Sequence, residues 1–323
     1  MTSQIETKRN RITTIVIVIC VVIIAIFSLI ILLNLQATFK AESTQVVFES
    51  ETASVTSTPE SQLTIGSTWT RPRDGMVMVY VPSGEFTMGL EIEQSMESCR
   101  NYGNPCSYEW FEINSPKHTI ELAAYWIDQT EVTNAMYSDC VNAGICNEPV
   151  EISSRTRPGY YLSNEFSEYP VIHVTWEDAK TYCYWVGGRL PTEAEWEKAA
   201  RGFDDRIYPW GNSLPNYEIA NYWDTQDLNG DTVAVGSYPN GASPYGALDM
   251  AGNVWEWVND YYDGNYYSVS PKENPTGPLE GENRVVRGGT WHFQWDILST
   301  IRLSWNPESQ LDQLGFRCAR SAE

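Results

Sequence analysis

Apolar and polar positions alternate or recur along this chain in a few distinct ways. Residues 74–89, DGMVMVYVPSGEFTMG, place two β-rich runs on either side of Pro82, Ser83 and Gly84, as a hairpin would. Residues 118–128, HTIELAAYWID, read as a second strand pair. Helical spacing comes next. Thr133 caps a helix that ends at Gly144, and Thr175 with Asp178 opens another. In that second helix Ala179, Tyr182, Cys183 and Val186 keep an apolar face until Gly187 and Gly188 stop it. Thr192 with Glu195 makes a capping box for a third, EAEWEKAAR, ended by Gly202. Beyond it the chain reads mostly as turns: YPWGN, DLNGD, YPNGASPYG and NPTGP. With no repeat at a solenoid period, these elements predict one α+β domain.

The N-terminal pattern is different. Ile12 to Leu33 carries no charge and is long enough, at about 33 Å as a helix, to span a bilayer. Lys8, Arg9 and Arg11 precede it and only Lys40 follows closely, which puts the N-terminus in the cytoplasm and the rest outside. The following stretch to Thr70 is rich in Ser and Thr and poor in aromatics, the composition of a flexible tether. The predicted organisation is a cytoplasmic segment at 1–11, a transmembrane helix at 12–33, a linker at 34–71 and a folded domain at 72–321. The expected location is the cell membrane, single-pass, with the C-terminal domain extracellular.

Composition narrows the class. Thirteen tryptophans, nineteen tyrosines and twenty-two glycines among 323 residues describe an aromatic, turn-rich body. The net charge of −21 argues against nucleic acid as a partner. Cys20 lies in the apolar span, leaving six cysteines for an oxidising compartment. Cys99 with Cys106 and Cys140 with Cys146 are near enough to staple local loops, which leaves Cys183 and Cys318 by elimination. Fifteen connectivities remain open on spacing alone.

Common catalytic constellations are missing. His118, His173 and His292 are scattered, with no zinc-protease spacing, and no nucleophile elbow, phosphate loop or dinucleotide fingerprint occurs. Two acidic loops hold oxygen ligands suited to Ca²⁺. One, residues 220–231, gathers Asn221, Asp227, Asn229 and Asp231; it fails the EF-hand register because Gly236 falls where a bidentate Glu is required. The other, DMAGNVWEW at 249–257, places Asp249 and Glu256 at the ends of a glycine turn. Turn chemistry is the competing explanation for both.

Seven stretches together resemble one family: MVYVPSGEFTMG, YWIDQTEVTNAMY, YPVIHVTWEDAKTYCYWVGGRLPTEAEWEKAARG, YPWGN, YGALDMAGNVWEWVNDYY, RVVRGGTW and GFRCAR. Their order and content are similar to the formylglycine-generating enzymes, or sulfatase-modifying factors. The resemblance implies a single compact, C-type-lectin-like domain with little regular secondary structure. It implies two structural Ca²⁺ sites: Asn221, the Tyr222 carbonyl, Asp227 and the Asn229 carbonyl at one, and Asp249, the carbonyls of Gly252 and Val254, and Glu256 at the other. It also implies a disulfide between Cys183 and Cys318.

Family oxidases convert a cysteine of a target peptide to formylglycine with O₂ and a copper ion held by two thiolates after an R-G-G-S/T motif. Here Arg287, Gly288, Gly289 and Thr290 keep the pocket's frame, but the two thiolate positions hold Phe293 and Leu298. Neither side chain ligates Cu(I), so no catalytic residue and no copper is expected. The leading expectation is a non-catalytic module that binds an unidentified peptide, protein or glycan through Trp291, His292, Phe293, Gln294, Trp295 and Trp305. The alternatives are an oxidoreductase of the same family, with the formylglycine oxidase or an altered activity, and a purely structural envelope protein.

Overall fold

The computed structural model describes residues 63–322 apart from 102–105, 223–229 and 293–300. The transmembrane helix expected at 12–33 therefore lies outside the described residues. So do the cytoplasmic segment and the linker up to residue 62. No helix among the described residues is long and apolar enough to cross a membrane.

The domain's first sheet is built from β1 (Thr68–Thr70), β2 (Val77–Val81), β5 (Tyr125–Asp128) and β10 (Ala319–Ser321), in the order β1-β2-β5-β10. The fold thus begins before residue 72: Thr68 already pairs with Val79, and Arg71 is buried with its guanidinium on Asp74 and Asp128. The second sheet is β3 (Gly84–Met88) with β4 (His118–Leu122), between which lie α1 (Ile92–Asn101) and the short α2 (Glu109–Glu112).

The two hairpins expected from the strand patterns do not form. β2 pairs with β5, and β3 with β4; Val81 faces Tyr125 and Gly84 faces Leu122, so one antiparallel register continues across the break. The chain bends at Pro82 and Ser83 instead of reversing. Proline offers no N–H to the ladder. The carbonyls stranded at the bend are taken by Lys198, whose Nζ donates to Pro82 O at 2.8 Å and Gly84 O at 2.9 Å.

The helices match their sequence signals closely. Thr133 caps α3 (Asn134–Asn142) by accepting from Met136 N, and Gly144 follows with φ +71°. Thr175 and Thr192 each complete a capping box, opening α4 (Trp176–Trp185) and α5 (Glu193–Arg201). Beyond α5, where turns were expected, lies a third sheet. It contains β6 (Trp255–Tyr261), β7 (Arg284–Arg287), β8 (Arg302–Trp305) and β9 (Leu314–Phe316), in the order β8-β7-β6-β9, with β9 parallel to β6. Its strands are short and far apart in sequence, which hides them from a local pattern.

All three predicted cysteine pairings are present: Cys99–Cys106, Cys140–Cys146 and Cys183–Cys318. The last joins α4 to the approach of β10. Cys318 N also donates to Asp128 at 2.9 Å, so the long-range bridge and the Arg71 ion pair meet at one point. Around α3 and α4, Tyr137 stacks on Tyr182 at 5.7 Å, and Phe316 meets both rings edge-on.

Candidate functional site

The site is organised by α5. Glu193, Glu197 and Arg201 recur every four residues and form one stripe along the helix. That stripe faces inward: every residue of α5 is buried. Glu193 accepts from Arg302 Nε at 2.7 Å, Arg302 Nη2 at 2.9 Å and Arg287 Nη1 at 2.9 Å. Glu197 accepts from Arg287 Nη2 at 2.7 Å, Arg201 Nη1 at 2.8 Å and Gly89 N at 2.7 Å. Burial by itself weakens a guanidinium's hold on its proton, but these carboxylates and Tyr267 raise Arg287 and Arg302 above their ordinary range. Such pairs are retained only when nearly every donor finds an acceptor.

Arg287 therefore anchors the R-G-G-T segment from below. Gly288 follows with φ +101°, a backbone that favours glycine, and a Cβ there would crowd the Trp196 ring at 3.2 Å. Its carbonyl accepts from Gly252 N at 2.8 Å, and Trp291 N donates to Asn253 O at 3.0 Å. Gly289 also has positive φ, and Thr290 is fully buried. All four residues are buried.

The expected contact face is changed by the structure. Trp291 is only 2% exposed and belongs to the interior. It is covered by His292, edge-on at 5.1 Å, and by the Arg155 guanidinium 5.3 Å from its centroid. A large ring next to a buried glycine frame loses its water contact to packing. His292 remains partly accessible, with Arg155 Nη1 3.1 Å from its Nδ1. Burial, and then the Arg155 charge, lower the His292 pKa below its ordinary value. Trp305 is half-buried, and its Nε1, like that of Trp291, has no partner among the described residues. Phe293, Gln294, Trp295 and Leu298 lie outside the described residues.

The two oxygen-rich loops do meet. Asn253, at φ +60°, ties them: its backbone N donates to Asn221 O at 2.8 Å, and its side-chain oxygen accepts from Asn221 Nδ2 and Val233 N. A Cβ at Gly252 would overlap the Asn221 carbonyl, which requires glycine at this crossing. Tyr222 is buried beside Asn221, and Asp227 and Asn229 lie outside the described residues. Asp231 is not an available ligand. Its carboxylate accepts from Ser154 Oγ at 2.6 Å, Thr156 N at 2.9 Å and Thr232 N at 2.8 Å, which fixes the loop carrying Arg155.

At the second loop, Asp249 is buried at φ +57° and accepts from Gly236 N at 2.6 Å. Val254, whose carbonyl belongs to the implied set, is buried. Glu256 is largely committed to protein donors: Arg317 contacts both oxygens at 2.6 and 2.7 Å, and Trp196 Nε1 donates at 2.8 Å. Sequence reasoning missed Glu131. It is fully buried, accepts from Asn253 Nδ2 at 3.0 Å, and has one oxygen with no partner among the described residues. Burial pushes Glu131 and Asp249 above the usual carboxylate range, and the Asp249 charge adds to the effect at Glu131. Its only signal was an acid in DQTEVTN, between the strand that ends at Asp128 and the helix cap Thr133. Glu193, Glu197 and Arg302 were also missed, although the four-residue charge spacing in EAEWEKAAR was visible.

The Sulfatase-modifying factor enzyme 1-like domain matches residues 66–322. The chain is 33% identical over 304 residues to a formylglycine-generating enzyme of Streptomyces coelicolor, covering 78% of this chain and 92% of that one. A formylglycine-generating enzyme of Thermomonospora curvata is 39% identical over 296 residues, covering 75% and 92%. Among solved structures, PvdO from Pseudomonas aeruginosa superposes with a TM-score of 0.65 at 25% identity, covering 80% of this chain and 99% of that one. The chain therefore belongs to the sulfatase-modifying factor, or formylglycine-generating enzyme, domain family.

Proposed function

We propose that this family domain is a non-catalytic binding module held outside the cell by the apolar segment Ile12–Leu33. The observation that supports it most is the use of cysteine. Of the seven cysteines, six are consumed in three disulfides, and the seventh, Cys20, lies in the apolar segment. No pair of thiolates is left for a Cu(I) site of the family's kind, and the positions after the R-G-G-T frame hold Phe293 and Leu298. A domain stapled by disulfides also suits an oxidising exterior.

Two Ca²⁺ ions are part of the same reading. At the second loop, buried carboxylates and a glycine turn fit a hard cation. Asp249, Glu131 and the carbonyls of Gly252 and Val254 would hold it, with Glu256 acting mainly through Arg317. At the first loop, Asn221 would contribute its side-chain oxygen together with Asp227 and the carbonyls of Tyr222 and Asn229. The ions would neutralise buried acid and fix the R-G-G-T frame through Asn253. The residues assigned to ligand contact in this reading are His292, Phe293, Gln294, Trp295 and Trp305, while Trp291, buried against His292 and Arg155, is left out.

The deciding experiment incubates the full chain with a Cys-x-Pro-x-Arg peptide, Cu(I) and O₂, and traps aldehyde with a hydrazine probe. No trapped product is expected. Catalytic aldehyde formation would overturn the reading.

A further inference from the structure

A separate cleft lies at the other end of the β6–β7 ladder. Glu256 pairs with Arg287 at the R-G-G-T end, whereas Tyr261 pairs with Arg284 at the far end, close to Asn259. There the α5 N-terminus, the bend between β4 and β5, the 274–276 turn and the end of β10 enclose about 580 Å³. A second hollow of about 370 Å³ adjoins it and shares Tyr184, Arg189 and Ser321. Tyr184 lines both and is 63% exposed, with Lys180 Nζ 6.0 Å from its ring centroid.

The polar side chains lining this cleft are mostly uncharged. Asn259, Thr276 and Ser321 have side-chain amide or hydroxyl groups with no partner among the described residues, and neither does the Tyr184 hydroxyl. Asn274 spends its oxygen on Ala123 N at 2.8 Å, and its amide donors have no partner among the described residues. Charge in the larger hollow is already neutralised: Arg189 binds Glu195 through two contacts of 2.6 Å. A peptide strand has nothing to extend, because Ala319 exchanges both backbone bonds with Arg189 and Ala322 N is bonded to Ala124 O. An anion would meet no unpaired cation in the larger hollow. Uncharged amides and hydroxyls around an exposed ring match a ligand with many hydroxyls and apolar C–H faces.

We infer that this cleft is a carbohydrate site, taking a short neutral oligosaccharide with one unit on each side of Tyr184. The ring stacks on a sugar face, while Asn259, Asn274 and Thr276 bond its hydroxyls. The site uses none of the R-G-G-T residues and opens at the other end of the β6–β7 ladder, so it stands or falls independently of the function proposed above.

The test uses the full chain in a zwitterionic detergent with no sugar headgroup. Maltotriose, cellotriose and chitotriose are each probed by saturation-transfer NMR. At least one is expected to receive saturation. Tyr184→Ala should weaken it about tenfold through loss of the stacking ring. Ser321→Trp, which fills the junction of the two hollows from an exposed position, should abolish it. Both variants should keep the parent melting temperature. Absence of transfer to all three sugars would overturn the inference, as would unchanged binding in both variants.

Discussion

Replacing Glu193 by Gln tests whether the inward charge stripe of α5 holds the domain together. Glu193 accepts four bonds, from Arg302 Nε and Nη2, Arg287 Nη1 and the Tyr267 hydroxyl at 3.1 Å. The amide keeps the shape but removes the charge. Of the three fully buried guanidiniums, Arg201 and Arg287 would keep Glu197, whereas Arg302 would lose its carboxylate and retain only the Ile113 and Asp263 carbonyls. Breaking a buried pair in this way costs about 3–5 kcal/mol, a large part of the roughly 5–15 kcal/mol that domains possess. At about 2–4 °C per kcal/mol for a domain of this size, the melting temperature should fall by about 6–20 °C. Near-UV circular dichroism through a thermal scan, with disulfides intact, measures this. Pairing Glu193→Gln with Arg302→Met should cost less than the sum of the two single changes, because the double variant removes the stranded cation. Glu177→Gln, which breaks the exposed pair with Lys180, serves as the comparison and should move the midpoint by at most about 2 °C. If Glu193→Gln behaved like Glu177→Gln, the claim that this network is buried and interdependent would be refuted.

Three further outcomes follow from other parts of the molecule. Chelating Ca²⁺ should lower the melting temperature of the parent protein, and Asp249→Asn with Glu131→Gln should remove that response; equal melting with and without chelator in the parent would count against both cation sites. Replacing Cys183 and Cys318 by Ser opens a loop of 135 residues and should cost about 5 kcal/mol by loop entropy, against about 2 kcal/mol for Cys140 and Cys146, separated by 6; denaturant midpoints would show the ranking. Because burial and Arg155 depress the His292 pKa, its contribution to stability is complete above the unfolded value and is lost as pH falls through the lowered folded one. In an NMR titration, Arg155→Ala should move the His292 midpoint upward; no movement would mean that the guanidinium does not act on the ring.

What the sequence determined by itself was whatever depends on near neighbours. The three helix starts at Thr133, Thr175 and Thr192 were legible because a cap and its partner lie three residues apart, and the stops were legible because glycine alone takes the backbone at Gly144 and Gly202 without strain. The R-G-G-T frame, the family and the local disulfides were readable for the same reason. Tertiary structure decided everything that needed a distant partner. Pro82 could mark a hairpin or a bend, and only the pairing of β2 with β5 and β3 with β4 selected the bend. Glu193, Glu197 and Arg201 would read as a solvated stripe until Arg287 and Arg302 arrive from strands about ninety residues or more away. Trp291 has the composition of a contact residue, yet the loop held by Asp231 lays Arg155 over it and takes it out of water. Local hydrogen bonds and backbone preference are written in short windows of sequence, whereas burial depends on what the rest of the chain brings into contact.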